Sequence, residues 1–145
     1  MDETGQRNAP VMIHRAMLGS LERMFALFAE HTAGKWPMWV SPRQVLVVPV
    51  TNTQTLNTYA HDIAQRLKRA GLYSHADISH ETLSKKIQKH HTMQYNYICV
   101  VGENEMAADS VSVRERGTYK GYEQPFTEFL DRALKEAQLP STTIN

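Results

Sequence analysis

Apolar residues recur along this chain in two rhythms, that of amphipathic helices and that of buried strands. Between residues 16 and 28 they fall at Ala16, Met17, Leu21, Met24, Phe25 and Phe28, with no Gly or Pro after Gly19, which predicts a first helix over about Met17–His31. Thr32–Pro42 carries Gly34, two prolines and the two tryptophans Trp36 and Trp39, and reads as an ordered connector, since tryptophans seek burial. Gln44–Val50 is a nearly continuous β-branched run, the pattern of a strand buried on both faces, with Pro49 marking its carboxyl end. Thr51, Asn52 and Thr53 offer capping oxygens to the clearest helix, in which Leu56, Tyr59, Ala60, Ile63, Ala64, Leu67 and Ala70 form one stripe and Gly71 stands where a C-terminal cap belongs. A strand over Leu72–Ile78 completes a βαβ unit.

The next helix, about Glu81–Met93, rests on Leu83 and Ile87, with Lys85, Lys86, Lys89, His90 and His91 expected on its exposed sides. Tyr95–Val101 is another buried strand, ended by Gly102. Ser110–Arg116 alternates as a half-exposed strand, and Gly117–Gly121 closes a hairpin into a short strand near Tyr122. The last helix is Phe126–Ala137. The polar segment Met1–Ala9 is expected to be a disordered lead, and the tail after Pro140 to fray. The order of elements predicts an α/β fold: a five-stranded mixed sheet flanked by helices on both faces, with right-handed crossovers.

Composition narrows the function classes. A length of 145 residues, 41% of them hydrophobic, implies one domain that needs neither disulfides nor a metal to hold its core. The single cysteine, Cys99, excludes a disulfide framework and a Cys-based zinc knuckle. With 16 Lys and Arg against 15 Asp and Glu, the chain does not bind nucleic acid through bulk charge, so any such contact must come from a local patch. No apolar run approaches the ~20 residues of a membrane span, and no signal-type stretch opens the chain. A reducing, cytoplasmic setting is expected.

Few constellations carry chemistry. His75, His80, His90 and His91 lie close in sequence, but helical neighbours point about 100° apart and no carboxylate cluster joins them, so they read as structural or solvated. Cys99 reads as packing in an apolar strand. Glu103 and Glu105 follow the Tyr95–Val101 strand, at the carboxyl edge where open α/β sheets bind ligands, and otherwise read as solvated loop acids. No phosphate-binding loop, nucleophile elbow or dinucleotide fingerprint is present. Alternation puts Arg114 and Arg116 on one face of a strand. A guanidinium fork beside an acidic loop suits the reading of base edges, which single-stranded RNA loops expose, although the lysines of the neighbouring helix are equally a solvated face.

The run Pro10-Val11-Met12-Ile13-His14-Arg15-Ala16-Met17-Leu18-Gly19-Ser20-Leu21-Glu22-Arg23 resembles the third class II signature motif of threonyl-tRNA synthetases. Gly34-Lys35-Trp36-Pro37, Ser41-Pro42-Arg43-Gln44-Val45, Lys85-Lys86-Ile87, Gln94-Tyr95-Asn96-Tyr97, Val100-Val101-Gly102-Glu103 and Val113-Arg114 continue the resemblance to the C-terminal third of those enzymes, and the first two of these runs are nearer the eukaryotic cytoplasmic forms than the bacterial ones. After the disordered lead expected over 1–9, the resemblance implies a catalytic-domain remnant over 10–32, a connector over 33–42 and a class II anticodon-binding domain over 43–145.

It also implies a function. The full-length enzyme attaches threonine to its tRNA with ATP. A chain that starts at the last catalytic motif is expected to be incompetent alone. Arg23 matches the ATP-contacting arginine of that motif, Ser20 the serine near the threonine pocket, and His14 the last of three zinc ligands. ATP and zinc therefore belong to the full-length enzyme and no cofactor to this chain. Anticodon contacts are implied at Arg114, Glu105, His80 and Arg116, with Lys86 and Lys89 holding phosphate; bacterial members carry an asparagine at the position of His80. The implied partner is the anticodon loop of threonine tRNA, without DNA or membrane. The chain is expected to be a monomer and the full-length enzyme a homodimer. The competing reading is a non-enzymatic interaction domain of the same fold, which would have no use for Gly19-Ser20-Leu21-Glu22-Arg23.

Overall fold

Val45–Pro49 (β1) and Tyr97–Val101 (β3) are the most apolar runs of the chain, and each is buried along its whole length at the centre of a sheet. Ser74–Ala76 (β2) pairs parallel with β1, and β1 pairs parallel with β3. Ser110–Glu115 (β4) and Tyr122–Pro125 (β5) extend the sheet antiparallel, giving the order β2-β1-β3-β4-β5. The helices are Leu21–Thr32 (α1), Gln54–Arg69 (α2), Leu83–Thr92 (α3), Glu103–Ala108 (α4) and Phe126–Ala137 (α5). This computed structural model describes residues 11–16, 19–118 and 120–139; the lead expected over 1–9 and the tail expected after Pro140 lie outside them.

The chain divides into two compact units, 1–34 and 35–145. In the first, α1 starts four residues later than the periodicity suggests, because Ser20 is extended and its hydroxyl caps the helix by accepting from the Arg23 amide at 3.2 Å. None of the residues of α1 is buried.

In the second unit, alternate strand residues make two cores. Val45, Val47, Tyr97, Cys99, Val101, Val111 and Val113 face α2 and α5, meeting Ile63, Ala64, Leu67, Phe126, Phe129 and Ala133. Leu46, Val48, Ile98 and Val100 face the other way, against Leu83 and Ile87 of α3. The path from β2 to β3 steps back across β1, so a crossover of constant hand must place α3 opposite α2. Helices therefore flank both faces of a five-stranded mixed sheet.

Two elements depart from the sequence pattern. β2 keeps only three of the seven residues expected over Leu72–Ile78, since Asp77 turns its side chain away to Ser79 and His90, although its amide still donates to the Val47 carbonyl at 2.9 Å. The segment after Gly102 is a helix, α4, and not a loop; the Glu105 carboxylate reaches back to accept from the Gly102 amide at 2.9 Å, holding its first turn. A Cβ at Gly102 would lie 2.9 Å from that carboxylate oxygen and 3.3 Å from Val50.

Candidate nucleic-acid interface

The register of β3 against β4 decides where the arginine of the hairpin lies. Arg114 stands opposite Ile98 and Ser112 opposite Val100, so both share the face on which α3 lies. Over β1 that face is covered, but over β4 and β5 it carries Ser112, Arg114, Gly121 and Glu123, all partly or fully exposed. Gly121 sits beneath the arginine stem: a Cβ there would be 3.2 Å from Arg114 Cγ and 3.1 Å from Ser112 Oγ. The glycine lets the guanidinium cross the neighbouring strand. Ser110, at the edge of this surface, donates to Glu123 at 2.7 Å.

At the carboxyl edge of β1 and β3, Val50, Thr51, Leu56 and Gly102–Glu105 line an open depression of about 500 Å³. Glu105 is half-buried here, one carboxylate oxygen committed to its cap, while Glu103 is exposed. Arg114 lies three rungs back from that edge, roughly 10 Å along the strand at about 3.3 Å per residue. The two groups thus occupy separate positions on the sheet.

His80 is exposed on the loop between β2 and α3, where its ring is hydrogen-bonded to Asn52 and Asn52 in turn accepts from Asn57 of α2. The sequence marks Asn52 only as a capping candidate before α2, three residues past the end of β1, and gives no sign of Asn57. The base of the same loop is tied to α3. Asp77 Oδ2 meets His90 Nε2 at 2.6 Å, its Oδ1 accepts from the Ser79 amide at 3.0 Å, and its carbonyl accepts from Lys86 Nζ at 3.0 Å. Burial alone would raise the Asp77 carboxyl, but hydrogen bonding from Ser79 and the contact with His90 outweigh it and hold the group down at about 2.

This corrects the expectation for α3. Lys86 is 2% exposed and His90 8%, so neither belongs to a solvent-facing side, and Lys86 is not placed to hold a phosphate. Lys85 and Lys89 are exposed, Lys89 lying 3.4 Å from Glu81. Arg116 is also differently engaged. It lies beyond the end of β4, its guanidinium donates to the carbonyls of Trp36 at 2.8 Å and Lys35 at 3.3 Å, and burial lowers its pKa. Asn96 donates to the same Trp36 carbonyl, so the two side chains stitch the connector to the amino edge of the sheet. Arg116 and Arg114 do not form one reading surface.

His75 is exposed on the edge strand, and among the described residues no three His, Cys, Asp or Glu side chains converge as a metal site. His14 offers one donor, which does not hold zinc, and the donor set here does not fit that ion. Cys99 is fully buried in the core, and desolvation pushes its thiol far up, which removes it as a nucleophile. Among the described residues no helix is long and apolar enough to cross a membrane.

Comparison with known proteins adds to this geometry. The chain is 46% identical over 127 residues to the cytoplasmic threonine–tRNA ligase of Saccharomyces cerevisiae, covering 88% of this chain and 17% of that protein. It is 47% identical over 115 residues to the mitochondrial threonine–tRNA ligase 1 of Arabidopsis thaliana, covering 79% and 16%. It thus spans less than a fifth of the length of these curated relatives. Among solved structures, the RNA binding domain of threonyl-tRNA synthetase from Cryptosporidium parvum superposes with a TM-score of 0.79 at 34% identity, over 86% of this chain and 31% of that one. The model of the anticodon binding domain matches residues 44–136, from the first sheet strand to the end of the last helix, and on that match the chain belongs to the anticodon binding domain family.

Proposed function

We propose that this chain recognises the anticodon loop of threonine tRNA through the α3-side face and carboxyl edge of its sheet. The observation that carries the reading is Arg114, laid across Gly121 on the half of that face which α3 leaves open. A guanidinium fork on an accessible sheet face matches the O6 and N7 acceptors of guanine, and threonine anticodons end in G-U. Glu105, at the edge depression, accepts from a base amino or imino group with the oxygen its cap leaves over, and His80 approaches from the loop before α3. Lys85 and Lys89 supply exposed positive charge for phosphate.

The setting of this activity is a longer threonine–tRNA ligase, as the relatives' names suggest. In that setting Ser20 and Arg23 of the first unit serve the site where ATP and threonine meet, and His14 contributes to a zinc site whose other donors lie outside this chain. The proposed compartment is the cytoplasm, although relatives of both cytoplasmic and mitochondrial name are comparably similar. We propose a monomer for this chain.

The test is a titration with a threonine-tRNA anticodon stem-loop and with the same loop carrying a changed central base, at two salt concentrations. Preferential binding that survives the higher salt supports base reading. Weak, salt-erased, indifferent binding favours a domain of this fold that serves interaction without tRNA specificity.

A further inference from the structure

The largest fully buried side chain of the described residues is a lysine, Lys86, and a buried ammonium demands an explanation in its partners. We propose that Asp77, Lys86 and His90 are positioning residues, a buried pin that fixes the 77–82 loop on α3 and so sets where His80 meets the anticodon loop. The inference rests on the anticodon reading above.

Three observations carry it. First, Lys86 and His90 stand one turn apart on the inward side of α3, and both are committed to one residue at the foot of the loop, Asp77. Every polar group of Asp77 is engaged: its amide with Val47, its carbonyl with Lys86, its carboxylate with Ser79 and His90. Second, the loop has little apolar anchorage, since Ile78 is exposed, so hydrogen bonds and not packing fix its course. Third, His80 lies three residues beyond the pin and is gripped from the other side by Asn52, at the foot of α2. The loop is therefore held at its base by α3 and at its crown by the β1–α2 connection. Polar contacts in a buried site add direction where apolar packing would add only cohesion; apolar residues of similar volume often serve stability as well as a buried charge does. A buried ammonium also releases no phosphate counterion, which separates this role from direct RNA contact.

The experiment compares affinities for the cognate and changed-base stem-loops, each at two salt concentrations, for wild type, Lys86→Met, His80→Ala and the double variant. Methionine keeps the stem and deletes the donor. Lys86→Met is expected to lower cognate affinity several-fold with an unchanged salt slope, and to add less than a further twofold once His80 is alanine, because both act through one contact. A slope reduced by about 0.7–0.9 would overturn the proposal in favour of a phosphate contact. Losses that multiply in the double variant, or no loss at all, also overturn it. His90→Leu and His90→Gln give an independent reading that does not depend on Lys86→Met folding: the leucine variant is expected to reproduce the loss and the glutamine variant, which keeps a donor toward Asp77, to restore most of it. Equal behaviour of the two contradicts the pin. A wild type indifferent to the changed base removes the anticodon reading and this inference with it; a discriminating wild type with an unaffected Lys86→Met removes the pin alone.

Discussion

The two sides of β4 are made by six consecutive residues and have opposite characters. Val111 and Val113 are fully buried against α2 and α5, whereas Ser112 and Arg114, interleaved with them, lie on the opposite face and are partly exposed. Alternation at period two separates a packed side from an open side within a single strand, so each side can be altered while the other is kept. The two flanking helices repeat the contrast. The buried residues of α2 are all apolar, while α3 buries Lys86 and His90 beside its apolar anchors. One helix is built to hold the sheet and the other also to hold a loop.

The largest effect should come from breaking the covered side. Phe129 is fully buried and meets the Tyr97 ring edge-on, with centroids 5.4 Å apart. Phe129→Ala should cost about 3–5 kcal/mol in a denaturant titration, while the fraction that remains folded keeps its RNA preference. Weakened preference in that folded fraction would show that the two sides are not separable.

The pin on the other side should fail with acid. The Asp77 carboxyl is held at about 2 in the folded chain against an ordinary 3.8, so its contribution is complete above about pH 4 and is lost as pH falls toward 2. The stability difference between wild type and Asp77→Asn should be about 2 kcal/mol at neutral pH and shrink over that window. A difference independent of pH would remove the carboxylate from the account.

Gly121→Ala sharpens the comparison with a smaller energetic change. The backbone at this position is not in the left-handed region, so folding stability should move by less than about 1 kcal/mol. The added methyl must displace Arg114 or Ser112, and preference for the cognate loop should fall several-fold. Smallest of all, Lys89→Ala should leave unfolding unchanged and lower the salt slope of binding by about 0.7–0.9, since this side chain is exposed and its partner Glu81 is too.

Much of this was legible in the sequence because the strands are apolar runs and α2 and α5 are long enough to show a period. The apolar pattern and the structure agree on Phe126–Ala137 to the residue. The failures have physical causes. α4 has six residues, too few for a periodic stripe, and only Gly102 followed three positions later by Glu105 announces it. Leu83, Lys86, Ile87 and His90 complete an i, i+3, i+4, i+7 stripe, but hydropathy assigns a lysine and a histidine to solvent, and the residue that draws them inward, Asp77, belongs to another element. Arg116 continues the alternation of Arg114, yet the connector's carbonyls, 80 residues earlier in the chain, claim its guanidinium. Pattern locates a side chain on a face; it does not say what else reaches that face.

The central claim is that the open side of β4 reads bases, and Arg114→Ala tests it most directly. Its affinity should be measured beside wild type for the threonine anticodon stem-loop and for the loop with the guanine-uridine pair of bases exchanged. The account predicts a loss of about 1–3 kcal/mol on the cognate loop and little on the altered one, so that the preference collapses. Equal losses on both loops would contradict it and reduce Arg114 to a backbone contact.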